Sequence, residues 1–145
     1  MKTELFQMYD TDVWGSTSSR SNIGVFSSVT EALESLCDDS DRLRYIFKGD
    51  NRLFIEKITI NEVDGYSQVF DSNNDDNLKE LKRVMFFESI ESFKNDLGFL
   101  DIDTENDVNF NINEINSVDD VSDELLEEYL SEDNVLKFIK TVFEK

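Results

Sequence analysis

From Asn95 to Leu136 this chain runs forty-two residues with fourteen Asp or Glu and no Lys or Arg. Within that span SVDDVSDELLEEYLSEDN, at 117–134, holds eight acids. No other feature restricts the fold as much. A segment without cations of its own must turn its carboxylates to solvent, to bases from elsewhere in the chain, or to a partner. It must also carry apolar residues at regular spacing to anchor it from behind.

The spacing supplies that anchor. At about 100° per residue, a helix over 119–130 places Val121, Leu125, Leu126, Tyr129 and Leu130 on one half of its circumference. Asp119, Asp120, Asp123, Glu124, Glu127 and Glu128 take the other half. The rows 119/123/127 and 120/124/128 hold like charges ~5–6 Å apart, each pair costing a few tenths of a kcal/mol. Acids at the helix start recover part of that from the positive end of the helix dipole; Glu127 and Glu128 do not. A solubilising face ordinarily mixes signs, because mixed pairs help. Two readings follow: a solvated face in an acidic protein, or a surface that mimics nucleic acid and fills a basic cleft. The second is favoured because the base-free span crosses several elements. Its candidate partner-binding residues are Asp101, Asp103, Glu105, Asp119, Asp120, Asp123, Glu124, Glu127, Glu128, Glu132 and Asp133, with Trp14 in a polar loop as a possible anchor.

The whole chain extends the argument. Its 145 residues carry 14 bases and 33 acids, a net charge of −19. That field repels nucleic acid and anionic membranes, attracts basic surfaces, and favours a soluble monomer. Twelve Phe and 39% hydrophobic residues suffice for a core and argue against disorder. Cys37 is the single cysteine, so no intramolecular disulfide can form, which fits a reducing cytoplasm. The first ten residues, MKTELFQMYD, lack a signal peptide's apolar run, and no stretch reaches the ~18 apolar residues of a membrane span. Thirteen Asn and no Pro or His reflect the bias of AT-rich coding, common in low-GC bacteria and their phages.

Along the chain, 3–9 reads as a strand, 10–22 as a polar loop and 23–28 as a second strand. Ser28 caps a helix over 29–37, with Glu31 at the capping-box position. The run 42–61 reads as two strands about a turn at Lys48–Asn51, a hairpin rich in bases (Arg42, Arg44, Lys48, Arg52, Lys57), with a slip in alternation at Glu56–Lys57 that suggests a bulge. Asp64-Gly65 marks a turn and YSQVF a returning strand. SNNDDN at 72–77 reads as a linker, Lys82–Phe87 as a strand and Ser89–Leu97 as a helix closed by Gly98. VFSSVTEALESL and FFESIESFKNDL then echo each other as strand, serine cap and helix. The strict alternation of Val108, Phe110 and Ile112 predicts a strand over 107–115. Two helices, roughly 118–130 and 132–143, finish the chain with Ser117 and Ser131 as caps. The fold class is α+β: an antiparallel sheet with helices packed on one face and two C-terminal helices. Two small modules, 1–70 and 78–145, are drawn, and the sequence leaves open whether they share one core.

No chemistry-bearing motif is complete. D101-I-D103-T-E105-N106 begins like an EF-hand loop but lacks the sixth-position Gly and the twelfth-position Glu, as does the run from Asp71. Without His, the Ser–His and Cys–His nucleophile pairs cannot be built, and one Cys does not make a zinc site. The glycines form no phosphate loop. Neither metal, cofactor nor catalytic residue is expected, and the chain is read as a non-enzyme.

The strand–GVFSS–VTEAL helix–FIEKITINE strand run at 23–61 resembles a small module of phage proteins. Together with the acidic 95–136, the chain resembles in character the anti-defence inhibitors of phages and mobile elements, of the anti-CRISPR and antirestriction kind. The resemblance implies a stoichiometric inhibitor, working in the host cytoplasm, that occupies the basic nucleic-acid groove of a nuclease complex such as a CRISPR effector. Two alternatives stand beside it: an immunity protein or antitoxin neutralising a basic toxin, and a structural or regulatory interaction module whose acidity serves solubility. Whether the acidic face or the basic hairpin at 42–57 forms the interface stays open at this level.

Overall fold

The computed structural model describes residues 3–95 and 115–143. Over these residues the fold is α+β. Four strands, β1 (Glu4–Asp12), β2 (Ser21–Phe26), β3 (Asn51–Thr59) and β4 (Tyr66–Asp71), form one antiparallel sheet in the order β2-β1-β3-β4. Period-two alternation decides its faces. Met8 lies opposite Ile55, and Ile55 opposite Phe70; these three side chains point into the helical layer and are buried. Tyr9 and Phe54, also opposite each other, point the other way. The slip expected within β3 at Glu56–Lys57 is not in that strand: β3 pairs with β1 without a break, and the irregularity is on β4, where Phe70 and Gln68 are the successive partners of Ile55 and Glu56 and Val69 is the extra residue.

Helix α1 (Val29–Leu36) forms as its cap predicts. The Ser28 hydroxyl accepts the Glu31 N–H at 3.1 Å, and Ala32, Leu33 and Leu36 are buried. The Glu31 carboxylate accepts a hydrogen bond from the Ser27 hydroxyl.

The basic hairpin is not formed. Ser40–Lys48 is a helix, α2. The alternation of Leu43, Tyr45 and Phe47 suggested a strand, but Leu43 and Ile46, three apart, are the pair that is buried, while Tyr45 is exposed. Its end signals are explicit in the sequence: the Asp39 carboxylate accepts the Arg42 N–H at 3.2 Å, and Gly49 closes the helix at φ +79°. An L-residue with a side chain is strained at that angle.

The run 72–97 is also corrected. SNNDDN is not a linker: Asn74 accepts the Asn77 N–H through its side chain at 3.1 Å and starts α3 (Asp75–Asn95). This one helix replaces the strand at 82–87 and absorbs the described part of the helix at 89–97, so the internal echo fails in its second half. The apolar run Val84–Phe87 looked like a strand. Leu81, Val84, Met85, Phe86 and Ile90 are fully buried because α3 packs against α1, β4 and the C-terminal elements rather than through a single stripe. Ser89 is accepted in that interior because its hydroxyl donates to the Phe86 carbonyl at 2.6 Å.

At the C-terminal side a 3-10 turn at Val118–Asp120 precedes α4 (Asp123–Tyr129) and α5 (Val135–Val142). The helix drawn over 118–130 is therefore broken at Val121. Ser122, not Ser117, caps α4, accepting the Leu125 N–H at 3.3 Å, and Asn134 rather than Ser131 opens α5. The strand predicted from Val108, Phe110 and Ile112 lies outside the described residues, apart from the buried Ile115. One cluster of buried side chains runs from Met8, Leu53 and Phe70 of the sheet through α1, α2 and α3 to Leu126 and Ile139. Among the described residues no helix is long and apolar enough to cross a membrane.

Candidate functional site

The acidic side is positioned by what lies behind it. Val121, Leu125, Leu126 and Leu130 are buried, and Tyr129 leans on Phe86 with ring centroids 5.8 Å apart. With that stripe fixed, the 3.6-residue period turns Asp123, Glu124, Glu127 and Glu128 outward, and all four are exposed. Asp119, Asp120, Glu132 and Asp133 are exposed in the turns on either side. The expected split of the circumference is therefore observed.

The expected rows are not. Asp119 and Asp120 precede α4, so only 123/127 and 124/128 remain as i,i+4 pairs. Asp120 works locally: its carboxylate accepts the N–H groups of Asn116 at 2.9 Å and Ser117 at 3.0 Å. Asp123 is neutralised across the fold. Arg83 donates to it, and the Lys79 ammonium stands 3.6 Å away; both bases project from α3. Among the described residues no ion pair involves Glu124, Glu127, Glu128, Glu132, Asp133 or Asp119. These six exposed carboxylates lie together on α4 and its flanking turns.

Beside them lies a groove of about 520 Å³ between α2, α3 and α4. Phe47, Leu78 and Leu130 form its floor, and Lys79, Lys82, Glu127 and Glu132 its rim. Among the described residues no three acids or thiols converge as a metal site. The Asp71 carboxylate, which opens the second EF-hand-like run, is taken by the Arg52 guanidinium at 2.9 and 2.5 Å and by the Asn73 N–H at 3.0 Å. These bonds hold it below the usual carboxylate range. Burial pushes the Cys37 thiol well above its ordinary value, so it stays protonated.

The bases of 42–57 do not gather into a patch. Arg42 binds Asp10 at 3.1 Å and Asp39 at 2.8 Å, Arg44 binds Asp41, Arg52 binds Asp71, and Lys57 stands 3.8 Å from Glu4.

Trp14 is 84% exposed, and its loop is closed by hydrogen bonds to Asp12. The Asp12 carboxylate accepts the N–H groups of Trp14 and Ser16, both at 3.1 Å, and the Ser16 hydroxyl at 2.8 Å. The Ser16 bonds above all hold Asp12 below the usual carboxylate range. Gly15 sits at φ +72°, where a side chain would be strained, and an added Cβ would press on the Arg52 guanidinium at 3.2 Å. Asp101, Asp103 and Glu105 lie outside the described residues.

Sequence reasoning missed the Lys79 and Arg83 contacts with Asp123. The signal was present: Lys79 and Arg83 are four apart, one helical face, once the segment is read as a helix. No protein-family model, curated protein or solved structure matches the chain.

Proposed function

We propose that this chain is a stoichiometric protein inhibitor of a nucleic-acid-binding enzyme, of the anti-CRISPR or antirestriction kind, and not itself an enzyme. Its acidic side, α4 with the flanking turns, covers the basic groove in which the target holds nucleic acid. One observation carries the reading: among the described residues six exposed carboxylates, at Asp119, Glu124, Glu127, Glu128, Glu132 and Asp133, gather on α4 and its flanking turns with no ion pair, while Arg42, Arg44 and Arg52 bind acids elsewhere and Arg83 binds Glu80 and Asp123. Glu124, Glu127 and Glu128 stand on a helix whose backbone is already packed, so only their side chains need ordering to meet Lys and Arg of a cleft, which lowers the entropic cost of binding. Attraction of this kind accelerates encounter and weakens with salt.

The test is competition. The chain is immobilised and exposed to lysate of a low-GC bacterium at about 50 mM salt, and bound proteins are eluted with duplex DNA or with about 500 mM salt. Nucleic-acid-binding proteins released by both eluents are expected, with their nuclease activity suppressed by added free chain. Retained proteins that neither DNA nor salt displaces contradict the reading.

A further inference from the structure

We propose that the open face of the sheet, the side away from the helices, is a self-association surface that takes a second copy of this chain. Three observations lead there. First, six of the seven exposed large apolar side chains among the described residues belong to the strands or their loops: Val13, Trp14, Val25, Ile60, Val63 and Tyr66. The seventh, Tyr45, is on α2. By register, Val25 opposite Gln7 and Tyr66 opposite Ile58 stand on the open face itself. Single exposed apolar groups are ordinary, but their concentration in the sheet and its loops, away from the helices, is not.

Second, the strand residues of this face, with Arg20 just before β2, carry balanced charge, Arg20 and Arg52 against Glu56 and Asp71, in a chain of net charge −19. Its centre is a layered stack. Tyr9 and Phe54 lie 5.2 Å apart, the Arg20 guanidinium covers Tyr9 at 3.8 Å, and that of Arg52 lies over Phe54 at 4.8 Å. Each arginine has its acid: Arg20 is 3.8 Å from Glu56, and Arg52 is bound by Asp71. Overall charge keeps copies apart wherever acidic sides meet. Open face against open face is the approach that sets the α4 carboxylates of both copies on the outside, and the matched contact is closed by twofold symmetry.

Third, the size is sufficient for a weak dimer. Strand spacing and rise give a four-strand face of about 500 Å² per copy, or about 1,000 Å² in total, at the threshold of a specific interface. The dimer is therefore weak and concentration-dependent. Because the interface is balanced in charge and each copy strongly acidic, salt strengthens association by screening repulsion between copies, the opposite of its effect on the acidic side. The inference does not depend on what that side binds.

Sedimentation of the full chain between about 5 and about 500 µM, at about 0.05 and about 0.5 M salt, tests it. The mass is expected to climb from 16.9 kDa toward twice that value, at lower concentration in the higher salt. The double variant Val25→Lys, Tyr66→Lys should stay monomeric with an unchanged circular dichroism spectrum and melt. The variant Glu124→Lys, Glu127→Lys, Glu128→Lys should still dimerise. A monomer at every concentration and salt overturns the proposal, as does a dimer that survives the Val25/Tyr66 change, dissociates in salt, or is abolished by the α4 change.

Discussion

Two carboxylates give opposite pH signatures, and the sign of each follows from its surroundings. Burial, then the neighbouring charges of Glu34, Asp38 and Glu91, raises the Glu88 pKa above 4.5. A raised carboxylate binds protons more tightly in the folded state, so its ionisation detracts from stability as pH rises from below 4.5 through the folded value. Glu88→Gln is expected to stabilise the protein at pH 7 by a few tenths of a kcal/mol, the scale of partly screened charge terms. The advantage should vanish below the ordinary Glu range. Asp71 is the reverse case: its pKa is lowered, first by the Arg52 hydrogen bonds, so it contributes stability above 3.8 that is lost as pH falls through the folded value. Asp71→Asn should cost about 1–2 kcal/mol at pH 7 and progressively less in acid. Urea titrations of both variants from acid to neutral pH check the two signs together. Asp12 offers a third test, because Trp14 is the only tryptophan and reports on its own loop. Asp12→Ala removes the acceptor of three hydrogen bonds there, and the anisotropy of Trp14 emission should fall. Unchanged anisotropy would mean the loop is held by other contacts.

At the scale of elements, cap chemistry was the most readable signal. Ser28 before V-T-E located α1, and Asp64-Gly65 located the β3–β4 turn, because each encodes a local backbone conformation. The segments misread were those in which two periods coexist. Leu43, Tyr45 and Phe47 alternate like a strand, while Leu43, Ile46 and Phe47 repeat like a helix. Packing chose the helix, with Asp39 and Gly49 as its ends. In α3 the buried residues occupy more than one side, so no single stripe announced a helix. The acidic face was legible by periodicity alone. Its neutralisation at Asp123 was not, since the bases lie forty residues away in sequence and depend on α3 being continuous. Two substitutions test the element ends. Gly49→Ala should destabilise by about 1 kcal/mol, because Ala at positive φ is strained. Ser122→Ala should cost about 1 kcal/mol by leaving the first turn of α4 without its side-chain acceptor. Thermal melts read both, and a neutral Ser122→Ala would show that tertiary packing, not the cap, fixes where α4 begins.

The acidic side of α4 and most of the exposed apolar groups belong to different parts of the molecule. Among the described residues six carboxylates on α4 and its flanking turns have no ion pair, and others such as Glu34, Asp38 and Asp50 share that state elsewhere. The exposed Val, Ile, Tyr and Trp side chains lie mainly with the sheet, whose open face carries balanced charge. The distinction has a physical consequence: salt should act on the two sides in opposite directions, weakening what the acidic side holds and strengthening what the open sheet face holds. It also refines how the acidic side must be probed. Asp123 belongs to the fold through Lys79 and Arg83, so reversing it would confound stability with binding. Among the described residues Glu124, Glu127, Glu128 and Glu132 have no such partners, so they can be changed together. The decisive measurement compares the wild-type chain with Glu124→Lys, Glu127→Lys, Glu128→Lys, Glu132→Lys in capture and inhibition of nucleic-acid-binding enzymes at about 50 mM salt, with the thermal melt as control for the fold. Loss of capture and inhibition with a melt within about 2 °C of wild type is predicted; a variant that captures and inhibits as wild type does would contradict the assignment of the acidic side as the binding surface.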